Sequence, residues 1–270
     1  MTDGGSGDGA AGSRPATRLW TEEDLGPGVT LGLDHARAHY LRSVLRLSRG
    51  AAIALFNGRD GEWLARVEGL GKGWCSLAVE RRLRAQSGGP DVWLAFAPIK
   101  RARLDFLVEK ATELGCSALQ PMMTRHTAVT RVNLERLQAN AREAAEQCER
   151  LDLPEVRPVT DFGKLLEAWP QERRLLVCAE SGSAAPLAEV LQAEREKPRE
   201  SVGFSWGLMT GPEGGFARSE LDALNELPFA TKVGLGPRVL RADTAAVAAL
   251  ACWQAILGDG GLRPPRRDGD

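Results

Sequence analysis

The chain has 270 residues, 43% of them hydrophobic and 26% charged, with a formal net charge of −1. That is the profile of an ordinary globular protein, long enough for one large core or two modest ones. It excludes a generally basic nucleic-acid binder, so any affinity for RNA must sit in local patches.

The opening stretch, MTDGGSGDGAAGS, is rich in glycine and lacks the apolar segment of a signal peptide; residues 1–14 are expected to be a disordered tail. Residues 35–47 predict a helix with Leu41, Val44 and Leu45 as its apolar stripe and Arg42, Arg46 and Arg49 on another face. From 51 to 83, short β-prone runs alternate with NG, DG and GKG turn signals, a meander of strands. Residues 15–85 are therefore expected to form a small α+β or barrel-like domain. AQSGGP (85–90) is the expected linker. Beyond it the rhythm changes to strand, helix, strand, helix. DVWLAFAPI, CSALQPM, RRLLVCAE, VGFSWGLMT and ATKVGLG are the strands, several of them apolar throughout. That pattern predicts a parallel sheet covered on both faces by helices. The apolar run 245–257 is too short to span a membrane and is expected to be a buried helix, and 263–270 a second tail. The five cysteines form no CxxC pair and are expected to be reduced thiols of a cytoplasmic protein, with no metal site.

Two loops carry the functional signal. TGPEGG (210–215) leaves an apolar strand, and LGPRVLRADTA (235–245) leaves the next one. In α/β sheets ligands bind at the carboxyl ends of strands, and glycine lets main-chain groups approach a ligand without a Cβ in the way. On composition alone the first loop fits a ligand cradle or a strained structural turn equally. There is no GxxxxGK[ST] and no GxGxxG opening a helix, so a phosphate-loop hydrolase is disfavoured. In the second loop, Asp243 or Thr244 is expected to cap the following helix. Arg238 and Arg241 precede a helix N-terminus, where cations are unfavourable, which suggests an anionic partner.

The segments TGPEGGF (210–216), LGPRVLRADTA (235–245), HYLRSVLRLSRG (39–50), EKATELGCSALQPMMTRHT (109–127) and AAEQCERLDLPEV (144–156) together resemble the RsmE family. These are the bacterial 16S ribosomal RNA uracil-N3 methyltransferases of the SPOUT superfamily. The resemblance runs along the whole chain. It implies an N-terminal PUA-like β-barrel domain for RNA binding (15–85) and a C-terminal SPOUT α/β domain with a trefoil knot (90–262). It implies S-adenosylmethionine as cofactor, a homodimer, and 16S rRNA in the small ribosomal subunit as partner, without a membrane. The cofactor residues it implies are Thr210, Gly211, Glu213, Gly214, Leu235, Gly236, Leu240 and Arg241. Cys148 stands where serine is usual in the family, Val239 where isoleucine is common, and Asp243 where glutamate is common.

Methylation of uracil N3 removes a proton and spreads negative charge onto O2 and O4, which a guanidinium can stabilise in a dry pocket. Arg241 is the first candidate and Arg238 the second. Glu213, Asp243 and His126 remain open as bases. Arg18, Arg42, Arg46 and Arg125 are expected to contact RNA, with Arg42 and Arg46 tracking phosphates. Two rival readings share these loops: a SPOUT ribose 2′-O-methyltransferase acting on rRNA or tRNA, and a non-catalytic RNA-binding assembly factor.

Overall fold

The computed structural model describes residues 14–179, 184–197 and 205–263. Apart from Arg14 and Arg263, both tails expected from sequence lie outside the described residues. The chain divides into two compact units at Gly88–Gly89.

The first unit contains β1 (Arg18–Trp20), β2 (Thr30–Leu33), α1 (His35–His39), β3 (Ala52–Phe56), β4 (Glu62–Gly71) and β5 (Trp74–Arg84). Strands β3, β4 and β5 form the antiparallel meander that the turn signals predict, with β2 antiparallel to β5 and β1 parallel to β3. The order is β1-β3-β4-β5-β2, and three register shifts along β4–β5 bend the sheet. Leu19, Leu31, Leu41, Ile53, Leu55 and Leu77 fill its core.

The helix expected at 35–47 is corrected by the structure. Asp34 caps its start by accepting the Arg37 N–H at 2.8 Å, but the α-helix ends at His39 and passes into a single wider π-turn, Tyr40–Val44. Arg46 then takes a left-handed φ of 54°, which stops the helix. The wider turn rotates the side chains off the 3.6-residue register. Leu41 is fully buried and Leu45 packs on the core, while Val44 is 60% exposed. Arg42, Arg46 and Arg49 therefore do not share one helical face, although all three are exposed.

The second unit runs β6 (Val92–Phe96), α2 (Arg101–Glu113), β7 (Ala118–Met123), α3 (Leu134–Cys148), β8 (Glu155–Val156), β9 (Thr160–Asp161) and α4 (Phe162–Glu167). It continues with β10 (Arg174–Cys178), β11 (Ala185–Pro186), α5 (Leu187–Arg195), β12 (Trp206–Thr210), α6 (Arg218–Asn225), β13 (Ala230–Gly234) and α7 (Ala242–Ile256). The sheet is parallel, in the order β11-β13-β10-β12-β6-β7-β8, with β9 pairing β7. This is the SPOUT-type arrangement the resemblance implies. Residues of α2, α3, α5 and α7 share one core with one face of the sheet, and residues of α4 and α6 share a second core with the other. Burial on both faces explains why β12 is apolar from Trp206 to Met209.

The amino ends of the central strands are locked by charge. Arg173 is 7% exposed; it donates to Asp91 and to the Trp206 carbonyl. Its guanidinium and that of Arg157 each lie 3.6 Å from the Trp93 ring centre. Arg150, in the 144–156 segment of the family pattern, donates to the carbonyls of Thr112 and Cys116, closing the C-terminus of α2.

Candidate active site

Strand β10 lies between β13 and β12, and the carboxyl end of β10 with the loops leaving β12 and β13 lines a cavity of about 550 Å³. Thr210, Gly211 and Glu213 line it from the β12 loop. Leu235, Gly236, Arg238, Leu240 and Arg241 line it from the β13 loop. Thus two segments separated in sequence by a helix and a strand meet around one space. Gly214 is not among the lining residues; a Cβ there would sit 3.2 Å from His126 Cβ, so this glycine allows close packing against the β7 loop.

The β12 loop is built by its glycines. The Gly215 N–H donates to the Pro212 carbonyl at 2.9 Å, closing a turn, and Gly215 itself leaves that turn with a left-handed φ of +69°. At Gly211 a Cβ would press on the Phe216 ring at 3.0 Å. Strand β12 therefore ends in a tight reversal whose backbone faces the cavity.

Two contacts tie this loop to the loop after β7. Glu220, buried in α6, accepts the Ala217 N–H at 2.7 Å and the Arg125 N–H at 2.8 Å. His126 Nδ1 lies 3.1 Å from the Gly215 carbonyl. Sequence reasoning missed Glu220. Its spacing from Ala217 is that of a capping box, but alanine in place of serine or threonine hides half of the signature. It also missed Cys178 and Ala179, which line the cavity from β10; their place at the end of an apolar strand was the available signal.

Arg241 is itself the N-cap of α7, with extended φ and ψ of −68° and 154°, and neither Asp243 nor Thr244 caps the helix. Asp243 falls inside the first turn, where its carboxylate favours the helix dipole and accepts the Thr244 N–H at 3.0 Å. Arg238 and Arg241 are exposed at the cavity rim and form no salt bridge among the described residues.

Comparison with known proteins agrees with this architecture. The RNA methyltransferase domain profile matches residues 87–254, and the RNA methyltransferase PUA domain profile matches residues 33–79. Ribosomal RNA small subunit methyltransferase E of Synechocystis is 35% identical, over 85% of this chain and 74% of its own. The chain belongs to the ribosomal RNA small subunit methyltransferase E family. The Rickettsia conorii member is 32% identical over 83% of this chain and 88% of its own. The crystal structure of the Neisseria gonorrhoeae member, bound to S-adenosyl methionine, superposes with a TM-score of 0.79 at 29% identity, covering 90% of this chain and 99% of that one.

The residues present fit the cofactor of the gonococcal family member. Thr210 is 2% exposed, and its hydroxyl has no hydrogen-bond partner among the described residues although it lines the cavity. A buried orphan hydroxyl is costly unless a ligand completes it. Gly236, at φ +96°, leaves open space where a Cβ would stand. Burial pushes the Cys178 thiol up to about 12, so this wall of the cavity stays uncharged. Among the described residues, no group of three or more His, Cys, Asp or Glu could hold a metal ion, and no helix is long and apolar enough to cross a membrane.

The residues expected to contact RNA are placed differently from one another. Arg42, Arg46 and Arg125 are exposed. Arg18 is 11% exposed at its side chain, paired with Glu62 and lying 4.3 Å from the Phe56 ring centre. Burial acts to raise the Glu62 carboxyl, but the guanidiniums of Arg84 and Arg18 more than offset it and hold the group below its usual range. Arg18 is thus committed to an internal ion pair, which leaves little of it for phosphate.

Proposed function

We propose that this chain transfers a methyl group from S-adenosylmethionine to N3 of a uridine in 16S rRNA, near the decoding site of the small ribosomal subunit. Family membership supports methylation of small-subunit rRNA. The observation that carries the reading is the cavity at the carboxyl end of β10 and the β12 and β13 loops, walled by backbone and the orphan Thr210 hydroxyl and rimmed by Arg238 and Arg241. Thr210, Gly211, Glu213, Leu235, Gly236 and Leu240 would hold the cofactor, with Gly214 setting the loop against His126. The cofactor, when bound, supplies an activated sulfonium methyl. The protein's main task is then to position the base for in-line attack. Arg241, held at the rim by its N-cap backbone, stabilises the negative charge that develops on the uracil oxygens, with Arg238 as its neighbour. Arg42, Arg46 and Arg125 contact the RNA.

We read the loops that enclose the cavity as those of the SPOUT knot, and the active protein as a homodimer. The outward face of α7 supports the second point: Thr244, Ala251 and Ala255 are exposed and Ala248 half-exposed, one flat face of small residues.

The test is transfer from labelled S-adenosylmethionine to small subunits lacking the modification, with free 16S rRNA in parallel, followed by primer extension and nucleoside mass spectrometry. A reverse-transcriptase stop at one uridine and N3-methyluridine in the digest are expected. Ribose methylation, which leaves the pairing edge intact, would reassign the target atom. Cofactor binding without transfer to either substrate would point to another RNA.

A further inference from the structure

We propose that Trp74 is a stacking platform for an unpaired nucleobase of the RNA substrate. The inference rests on the reading of the chain as an RNA methyltransferase and adds to it a site in the PUA-like unit.

Trp74 opens β5 and is 54% exposed, among the most exposed large hydrophobic side chains described. Its strand neighbours Cys75 and Leu77 are buried and alternate with it, so the core takes the other face. Across the hairpin, Trp74 pairs with Gly71 and Ser76 with Gly69. A Cβ at Gly71 would run into the five-membered ring of the indole, and one at Gly69 would lie 2.7 Å from Cζ3 and Cη2 of the six-membered ring. The indole therefore lies lengthwise along β4 on a glycine bed. Glycine inside a strand weakens it and marks close approach. Two glycines on one face of β4 seat the ring flat and leave its other π-face to solvent.

The surroundings suit a polyanion. Lys72 is exposed at the hairpin tip beside Gly73, and a Cβ at Gly73 would meet the His35 ring. Helix α1 contacts β5, and from His35 to Arg49 the chain carries Arg37, Arg42, Arg46 and Arg49 with no acid. Of the carboxylates in this unit, Asp34 accepts the Arg37 N–H and Glu80 pairs with Arg66, while Glu68, next to Gly69, is exposed and sets a local limit on the positive field. A rigid aromatic plane among phosphate-tracking cations is the arrangement by which single-stranded nucleic acid is held, the ring taking the base and the cations the backbone. Duplex RNA keeps its base faces stacked internally and cannot use the platform.

The test compares Trp74→Ala, Trp74→Leu and Trp74→Phe in the full chain. Fluorescence anisotropy would measure binding to a short oligouridylate and to a duplex of equal length, and calorimetry the affinity for S-adenosylmethionine. Trp74→Ala is expected to weaken the oligouridylate complex about tenfold or more, the typical loss for one base–aromatic stack. Trp74→Leu, which covers the same glycines without a π-face, is expected to match Trp74→Ala, and Trp74→Phe to keep most of the affinity. Cofactor affinity should be the same in all four proteins. Wild-type affinity in Trp74→Leu, or an equal loss for duplex and single strand, would overturn the platform while leaving the methyltransferase reading intact. A wild-type chain that binds the cofactor and neither oligonucleotide would overturn the platform, whereas the methyltransferase reading stands or falls with transfer to small subunits and 16S rRNA.

Discussion

Glu220 Oε1 accepts the backbone N–H of Arg125 at 2.8 Å across a sequence separation of 95 residues. Its other oxygen holds Ala217, so one buried carboxylate fixes the cavity loop against the loop that presents Arg125. Glu220→Ala leaves the buried Ala217 N–H and the part-buried Arg125 N–H without their acceptor and should cost about 2 kcal/mol of stability. Cofactor and RNA affinity should fall together, since both loops lose the same anchor. Thermal denaturation and calorimetry check this, with Glu220→Gln, which keeps one acceptor, expected between the two.

The glycines of the cavity separate strain from crowding. Gly236→Ala meets no atom but must adopt φ +96°, and should destabilise by about 1–2 kcal/mol through backbone strain alone. Gly211→Ala has an ordinary φ and pushes on Phe216 instead. Its effect should be relieved in part by Phe216→Leu, which Gly236→Ala should not show. Denaturant unfolding of the single and double variants reads the difference.

Arg241→Ala should lower kcat by about a hundredfold, the usual loss of one charge-stabilising donor, while the helix it caps stays folded because its side chain makes no capping bond. Arg238→Ala should have the smaller effect. Single-turnover transfer with saturating cofactor and RNA distinguishes this from a binding defect.

Asp91 is one of the carboxylates whose contribution to stability is lost in acid. Burial acts to raise its carboxyl, but Arg173, Ser117 and Ser205 more than offset that and hold it below the ordinary range. A depressed native pKa stabilises the fold above the unfolded value, near pH 4, and that contribution is lost as pH falls through the native one. Asp91→Ala should cost about 3 kcal/mol at neutral pH, the low end for a broken buried pair because Asp91 is itself 43% exposed. The difference from wild type should shrink in acid. Urea melts across pH 3–7 test it.

The thiols of Cys116 and Cys178 are pushed up by burial to about 11 and about 12. Both should remain unalkylated by a maleimide near neutral pH in the native protein and react once it is unfolded, as mass spectrometry of peptides would show.

The second unit was legible because its strands are buried on both faces and so stand out as apolar runs between amphipathic helices. Gly115, at φ +75°, stops α2 as its place after Leu114 suggests. Helix α4 was overlooked although Asp161 caps it and Phe162, Leu165, Leu166 and Trp169 keep helical spacing; six residues give little signal beside two flanking turns. The strands β1 and β2 are three and four residues long and owe their existence to pairing with β3 and β5. The π-turn after His39 was illegible, since periodicity assumes a constant number of residues per turn. At the site, the glycine and arginine loops were visible in sequence, whereas the Glu220 tie joins residues that only the fold brings together.

The insertion of β12 between β10 and β6 has a consequence for how the molecule matures. Strands β6 and β10 are formed earlier in the chain but cannot pair with each other. In the finished sheet they lie roughly twice the 4.8 Å strand spacing apart, with β12 filling the space between them. The cavity borrows walls from β10, β12 and the segment running into α7, so no shorter emerging chain can build it. Occupancy of the pocket is therefore a certificate of finished assembly: a molecule that can take up its methyl donor is one whose β12 and β13 loops are both in place.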